Sequence, residues 1–153
     1  MVGSVRAVRP PTIDDLDRAS EVVQEHLEPT PLVPTSAAAD GWLKLESWQP
    51  TGSFKVRGAL AALSALGDAA RADGVVAASA GNHGLGVAQA ATLLGIRATI
   101  VVPATASAAK VAALRRYAID VVEHGESYDA AEAHALTLAA GARPSSPRTT
   151  TQQ

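Results

Sequence analysis

The sequence predicts an α/β fold, with a three-layer open parallel sheet and helices on both of its faces. Short apolar segments with few interruptions, such as residues 74–78 and 98–102, have the composition of strands buried on both sides. Each is followed by a segment in which apolar residues recur every three or four positions, which is typical of an amphipathic helix. This alternation predicts crossover helices that cover a parallel sheet.

The predicted elements follow in chain order. Thr12 is the predicted N-cap of a helix over residues 13–27, whose first turn is acidic. Residues 28–35 contain three prolines and are predicted to be an extended linker, and residues 42–46 alternate like a short strand. The α/β part then has predicted helices at residues 53–66, 82–94, 107–117 and 127–140 and predicted strands at residues 74–78, 98–102 and 119–122.

This pattern divides the chain into three parts. Residues 1–50 contain the N-terminal helix and the extended segments, and residues 51–141 form the α/β unit. Residues 142–153 are rich in Pro, Ser, Thr and Gln and have almost no apolar side chains, which is the composition of a disordered tail. At 153 residues, the chain is long enough for one domain with a substantial core.

Composition and charge exclude several classes of function. A formal charge of −2 gives no electrostatic reason to predict binding to nucleic acid or to an anionic membrane. The chain has no cysteine, which excludes disulfides and thiolate nucleophiles, and no metal site is predicted because His26, His124 and His134 lie far apart without metal-ligand spacing. There is neither an apolar signal segment nor a stretch of membrane-spanning length, so we predict a cytoplasmic protein.

Lys55 is the first candidate for chemistry. It follows a Thr-Gly-Ser turn and precedes a helical pattern, so Ser53 is the predicted helix cap and Lys55 falls in the first turn. The positive end of a helix lowers the pKa of an amine, which favours the free base that a nucleophilic lysine requires. The spacing alone leaves open the alternative that Lys55 is a solvated helix lysine.

The segment SAGNHG (residues 79–84) is the second candidate. It comes directly after a predicted strand and opens the next helix, at the edge of the sheet where α/β proteins bind ligands. Gly81 and Gly84 free the backbone there, and the first-turn amides predict a site for a carboxylate or a phosphate. An ordinary turn capped by Asn82 is the alternative. His83 is a candidate general base, although a lone histidine in a turn more often serves as a hydrogen-bond donor.

Taken together, the two motifs resemble one enzyme family. The stretches LKLESWQPTGSFKVRGA (residues 43–59) and VVAASAGNHGLGVAQAATLLGIRATIVVP (residues 75–103) resemble the threonine/serine dehydratases, which are pyridoxal-phosphate (PLP) enzymes of the tryptophan-synthase-β group, fold type II. The resemblance extends over about residues 12–142. It implies the smaller domain of that fold with N-terminal parts of the larger one, and conversion of L-threonine or L-serine to a 2-keto acid and ammonia.

The resemblance also implies roles for individual residues. Lys55 matches the lysine that forms the internal aldimine with PLP, and Phe54 matches an aromatic residue near the cofactor ring. Asn82 matches the asparagine that hydrogen-bonds the 3′-oxygen of the ring. The residues that match the loop around the substrate carboxylate are Ser79, Gly81, Asn82 and His83.

Two other activities and one non-catalytic role stay open at this point. Ala80 stands where racemase-like members tend to have a second serine, which favours dehydration over racemisation. An amino-acid racemase and a β-replacing lyase are the alternatives within the fold group. A non-catalytic α/β module that binds a partner is the alternative outside it, and the partners we consider are a second copy of the chain and a full-length relative.

The chain is shorter than the family, and this changes the expectation. The glycine-rich loop that cradles the PLP phosphate and the Ser or Cys that faces the pyridine nitrogen are absent from the sequence. We therefore expect a truncated enzyme with weak or no activity. One codon assignment of residues 147–153, read one base out of frame, gives Pro-His-Asp-Asp-Pro-Ala, which resembles the family's continuation, so an out-of-frame tail is a further hypothesis.

Overall fold

The computed structural model of the chain describes residues 9–37 and 40–141. Its elements in chain order are α1 (Ile13–His26), β1 (Leu32–Thr35), β2 (Gly41–Lys44), a 3-10 turn (Glu46–Trp48), α2 (Lys55–Ser64), α3 (Asp68–Asp73), β3 (Val75–Ala78), α4 (Asn82–Leu94), β4 (Ala98–Val102), α5 (Ala108–Leu114), β5 (Asp120–Glu123) and α6 (Tyr128–Gly141). The predicted tail, residues 142–153, lies outside the described residues.

Three parallel strands form the central sheet in the order β3-β4-β5. Successive side chains of β4 point to opposite faces, as the strand geometry requires. Ile100 and Val102 are buried in a core shared with α2, α4 and α5, whereas Val101 packs with Ala131 and Ala135 of α6. Helices therefore cover both faces of a parallel sheet, and the predicted fold class is confirmed.

The boundaries of several elements match the prediction, and others do not. The predicted helix 82–94 and strand 98–102 agree with α4 and β4. The linker prediction for residues 28–35 is wrong over its last four residues, because β1 pairs antiparallel with β2. Pro34 is tolerated there because a two-stranded sheet has an edge on which no N–H must be donated. The short helix α3 was not predicted, since DAARAD has no apolar period to reveal it.

The N-terminal helix is capped as predicted. Thr12 Oγ1 accepts a hydrogen bond from the Asp15 N–H (3.2 Å), and the Asp15 carboxylate accepts one from the Thr12 N–H (2.8 Å). These two bonds form a capping box that satisfies two backbone donors at the helix start. The hydrogen bond from the Thr12 backbone is the main reason that the pKa of Asp15 lies well below its usual range.

Replacing Thr12 with alanine is expected to loosen α1. The loss of the cap costs about 1 kcal/mol, which corresponds to about fivefold faster amide hydrogen exchange in the first turns of the helix. Hydrogen exchange followed by mass spectrometry on the peptide that contains α1 measures this. Thr12→Ser keeps the hydroxyl and serves as the control, so equal acceleration in both variants would contradict the role of the cap.

The three-part domain division stays a prediction. Leu27, just after α1, belongs to the same buried cluster as residues of α2 and α4, so the N-terminal segment packs against the α/β unit.

No helix in the described part of the chain is long and apolar enough to cross a lipid bilayer.

Candidate functional site

Lys55, Phe54 and His83 line one cavity of about 430 Å³ at the start of α2. Its floor is apolar and is built from α2, the exposed edge of β3 and α4, through residues that include Ala59, Leu63, Ala77 and Val87. The cavity thus combines an apolar wall with an amine and an imidazole at its rim. Lys55 and His83 come from the two motifs that the sequence analysis singled out, 28 positions apart in the chain.

Lys55 is exposed, and its side-chain nitrogen makes no hydrogen bond or ion pair with the described residues. Its Nζ lies 5.1 Å from the centroid of the Phe54 ring, a cation–π contact with a neighbour that is itself 57% exposed. The amine is therefore available to react with a carbonyl compound in the cavity.

The predicted cap of α2 is wrong. The helix begins at Lys55 and its N-cap is Phe54, which makes no side-chain capping bond. Ser53 lies one position too early, and its Oγ is buried without a hydrogen-bond partner among the described residues. An N-cap side chain reaches the amides two and three positions onward, so a shift of one residue removes the contact.

Hydrogen bonds made by Ser79 hold the SAGNHG loop (residues 79–84) in place. The Ser79 N–H donates to the Val101 carbonyl of β4 (3.1 Å), and the Ser79 hydroxyl oxygen accepts from the N–H groups of Gly81 (3.2 Å) and Gly84 (3.0 Å). The alternative in which Asn82 caps α4 is therefore wrong. Asn82 is the first residue of the helix, and the Gly84 amide in the first turn donates to Ser79 instead.

Gly84 is required for this closed loop. A Cβ atom at Gly84 would lie 2.3 Å from the carbonyl oxygen of Ser79, which is closer than any real side chain approaches. The amides of Asn82 and His83 find no acceptor in the part of the chain that the structure describes. Because both are in the first turn of α4, they are the donors on which the predicted anion site depends, and that site stays a prediction.

Sequence reasoning missed a polar cluster just before Lys55. The Glu46 carboxylate accepts hydrogen bonds from Arg57 Nε and Nη2 (both 2.8 Å), from Thr30 Oγ1 (2.7 Å) and from Gln49 Nε2 (3.2 Å). The Arg57 pair is bidentate, the strongest geometry for a guanidinium and a carboxylate. We call these four residues the Glu46 cluster. It joins the linker and the 3-10 turn to the first turns of α2, where the candidate lysine also lies.

The electrostatics of the Glu46 cluster follow from these bonds. Hydrogen bonding by Arg57 lowers the pKa of Glu46 from its usual 4.5 to about 2, although partial burial opposes the change. The same contact raises the pKa of Arg57. No sequence signal reveals the pair, because the two residues are 11 positions apart with a 3-10 turn and a loop between them.

A second cavity of about 750 Å³ also has Phe54 in its lining. It is lined by residues of α1 and the linker, including Val23 and Leu27, and by Glu46 and Arg57 of the Glu46 cluster. Phe54 lines both this cavity and the one at Lys55, so the two cavities are neighbours.

The other predicted site residues are distributed unevenly. Ser79 and Gly81 lie in the loop and are half-buried, whereas Asn82 is exposed and does not line the cavity at Lys55. His124 and His134, ten positions apart in the sequence, meet in the structure, where their rings stack with centroids 3.9 Å apart. They meet because β5 ends at residue 123 and α6 folds back across the sheet.

Comparison with known proteins identifies the family. Residues 23–148 match the sequence profile of the family described as pyridoxal-phosphate dependent enzyme. The chain belongs to this family. The resemblance predicted from the two motifs is thereby confirmed, and the cofactor of the family is the predicted pyridoxal 5′-phosphate.

Individual members of the PLP-dependent family give a finer picture. The chain is 47% identical over 97 residues to the biosynthetic L-threonine dehydratase of Haemophilus influenzae, which is 63% of this chain and 19% of that relative. It is 40% identical over 124 residues to the catabolic L-threonine dehydratase of Staphylococcus aureus, or 77% of this chain and 36% of that relative. Maize serine racemase superposes with a TM-score of 0.79 at 31% identity, over 85% of this chain and 41% of the other. The chain thus spans well under half of each relative.

Proposed function

We propose that this chain carries the lysine-bearing part of a PLP-dependent ammonia-lyase that converts L-threonine or L-serine to a 2-keto acid and ammonia. The observation that carries the proposal is Lys55, whose amine makes no hydrogen bond or ion pair among the described residues and which lines a cavity together with Phe54 and His83. The identity with L-threonine dehydratases supports the substrate class.

The residues at the cavity fit one end of the cofactor. The Lys55 amine suits an aldehyde, and the apolar floor and the Phe54 ring suit a flat aromatic ring. When bound, PLP supplies an electron-withdrawing ring that makes the α-proton of an amino acid acidic. Apart from Lys55 and His83, the lining of the cavity offers no polar side chain for the phosphate, so we propose that the chain alone retains the cofactor weakly.

Each group of the chain then has a separate role in the proposed reaction. Lys55 would hold the aldehyde of the cofactor in the resting site. Once the substrate amine takes its place, the freed Lys55 amine would accept the α-proton and pass it to the β-hydroxyl, which would then leave as water. The amides of Asn82 and His83 hold the substrate carboxylate at the start of α4. Ala80 has no proton to return to the opposite face of the α-carbon, which favours elimination over racemisation.

A second candidate function is a non-catalytic module that binds another chain, either a second copy or a full-length relative. The observation that favours it is the exposure of large apolar side chains around β2 and the 3-10 turn, where Trp42 is 60% and Trp48 is 69% exposed. A contiguous exposed apolar patch is typical of an interaction surface, and Trp42 and Trp48 are six positions apart in the chain. For either function we propose the cytoplasm as the compartment, on the sequence composition.

Reductive trapping separates these functions. The protein is incubated with PLP, reduced with sodium borohydride and digested, and the modified lysines are identified by mass spectrometry. The chain has three lysines, Lys44, Lys55 and Lys110, so each site can be followed separately. We expect Lys55 to be trapped at least about tenfold faster than the exposed Lys110, because a cavity holds the aldehyde against its amine.

Variants and a product assay complete this test. Lys55→Ala is expected to abolish the selective adduct and any keto acid formed from L-threonine or L-serine, whereas Lys110→Ala leaves both unchanged. Formation of D-serine from L-serine would instead indicate a racemase. Equal trapping of Lys55 and Lys110, together with a stable complex between chains, would favour the binding module.

A further inference from the structure

Helix α4 touches the backbone of Lys55 at Gly86. A Cβ atom at Gly86 would lie 2.9 Å from the carbonyl carbon of Lys55, 3.0 Å from its carbonyl oxygen and 3.1 Å from the amide nitrogen of Val56. Gly86 is buried, and the atoms it meets belong to the backbone, which cannot move aside as a flexible side chain can. At this point α2 and α4 are therefore in backbone-to-backbone contact.

This contact sets the distance between the two halves of the proposed site. Asn82 and His83 lie one turn before Gly86 in the same helix, and their backbone amides have no hydrogen-bond acceptor among the described residues. An α-helix is rigid over one turn, so fixing Gly86 against Lys55 also fixes those amides relative to the lysine. The close contact of Gly84 with Ser79 then fixes the loop to the same helix.

We propose that Gly86 is a positioning residue for Lys55: by letting α4 meet the Lys55 backbone, it holds the lysine in register with the open amides at the start of α4. This rests on the proposed function of Lys55 as the residue that holds the cofactor. An added methyl group forces the two helices apart at the lysine itself, and a displacement near 1 Å reduces the rate of a positioned reaction by as much as about 100-fold.

The test compares the rates at which Lys55 and Lys110 are trapped by PLP and borohydride in the same sample. Both lysines meet the same reagent, so the ratio of their rates does not depend on the concentration of reagent or of protein. Unfolding would change the ratio, so circular dichroism checks the fold in each measurement. In Gly86→Ala we expect the ratio of Lys55 to Lys110 to fall at least about tenfold. The measurement is repeated from pH 6 to pH 10, and a positioning effect is expected to lower the ratio across the whole range.

Two controls separate positioning from general packing. Gly67→Ala makes the same chemical change at the cap of α3, where an added Cβ meets nothing within 4 Å and φ is −68°. Val111→Ala removes two methyl groups from a buried site on α5 and lowers stability without adding an atom between α4 and α2. Both variants are expected to keep the ratio within about twofold of the original.

Each other outcome overturns the proposal. An unchanged ratio in Gly86→Ala would show that the contact does not position the lysine. An equal fall in Val111→Ala would show that any loosening of the core has the same effect, and a Gly86→Ala chain without folded circular dichroism would make the glycine a folding requirement only. If Lys55 of the original protein reacts no faster than Lys110, the proposed function fails, and the role of Gly86 fails with it.

Discussion

Replacing Leu60 with alanine is expected to lower the free energy of unfolding by about 3 kcal/mol. Leu60 lies on α2 and is completely buried, in a core that also contains Val56, Leu63 and Ile100. Truncation removes apolar surface from this core and leaves a cavity, because close-packed neighbours relax only in part.

Urea denaturation followed by circular dichroism measures this effect. The control is Leu136→Ala on α6, where the same side chain is 67% exposed, and its expected cost is under about 0.5 kcal/mol. Equal losses in the two variants would contradict the burial argument. Because Leu60 and Lys55 share a helix, the Leu60 variant should also show more rapid hydrogen exchange in the first turn of α2.

The elements that the sequence predicted best are those with a strong local signal. Strand β4 is a run of five apolar or β-branched residues, and α4 begins after Gly81 and ends at a left-handed Gly95. In both cases the boundary residue and the apolar pattern agree. The elements that were missed have no such signal, since β1 contains a proline and α3 contains only alanine and charged residues.

The helix α1 illustrates what periodicity alone does not establish. Its apolar residues recur at helical spacing, yet Ile13 is 75% and Leu16 is 57% exposed, while only the later Val22 and Val23 pack against the core. An apolar stripe predicts which face of a helix is apolar, whereas the structure decides what covers that face. The curated relatives extend well beyond the part of the family that this chain spans.

Some parts of the candidate site could be predicted from the sequence, and others could not. Lys55 and the SAGNHG loop could be found from sequence because each is a short linear motif next to an element boundary. The Glu46 cluster and the contact of Gly86 with Lys55 could not, because each joins residues that are distant in the sequence and have no spacing rule. Two motifs thus predicted a site, and tertiary contacts that no motif contains determine how its parts are held.

Replacing Arg57 with alanine is expected to lower the free energy of unfolding by about 2 kcal/mol at pH 7. The Glu46 carboxylate would keep only its bonds from Thr30 and Gln49 while remaining charged and largely buried. Removing one partner of a fully buried pair costs more, but the side chains of Arg57 and Glu46 are 31% and 22% exposed, so water screens part of the loss. The matched control is Arg115→Ala, whose pair with Glu123 is mostly exposed and should contribute less than about 0.5 kcal/mol.

The same variant should change how stability depends on pH. The pKa of Glu46 is about 2 in the folded chain against a usual 4.5, so its contribution is complete above pH 4.5 and is lost as the pH falls from 4.5 towards 2. In Arg57→Ala the pKa of Glu46 returns towards its usual value, and the loss of stability across this window becomes smaller than in the original protein. Urea midpoints at pH 7, 4.5 and 3 measure the difference. The pKa of Asp15 is also lowered, but its partners are Thr12 and Arg9, so the substitution leaves it unchanged. An identical acid dependence in both proteins would therefore show that the pKa of Glu46 does not depend on Arg57.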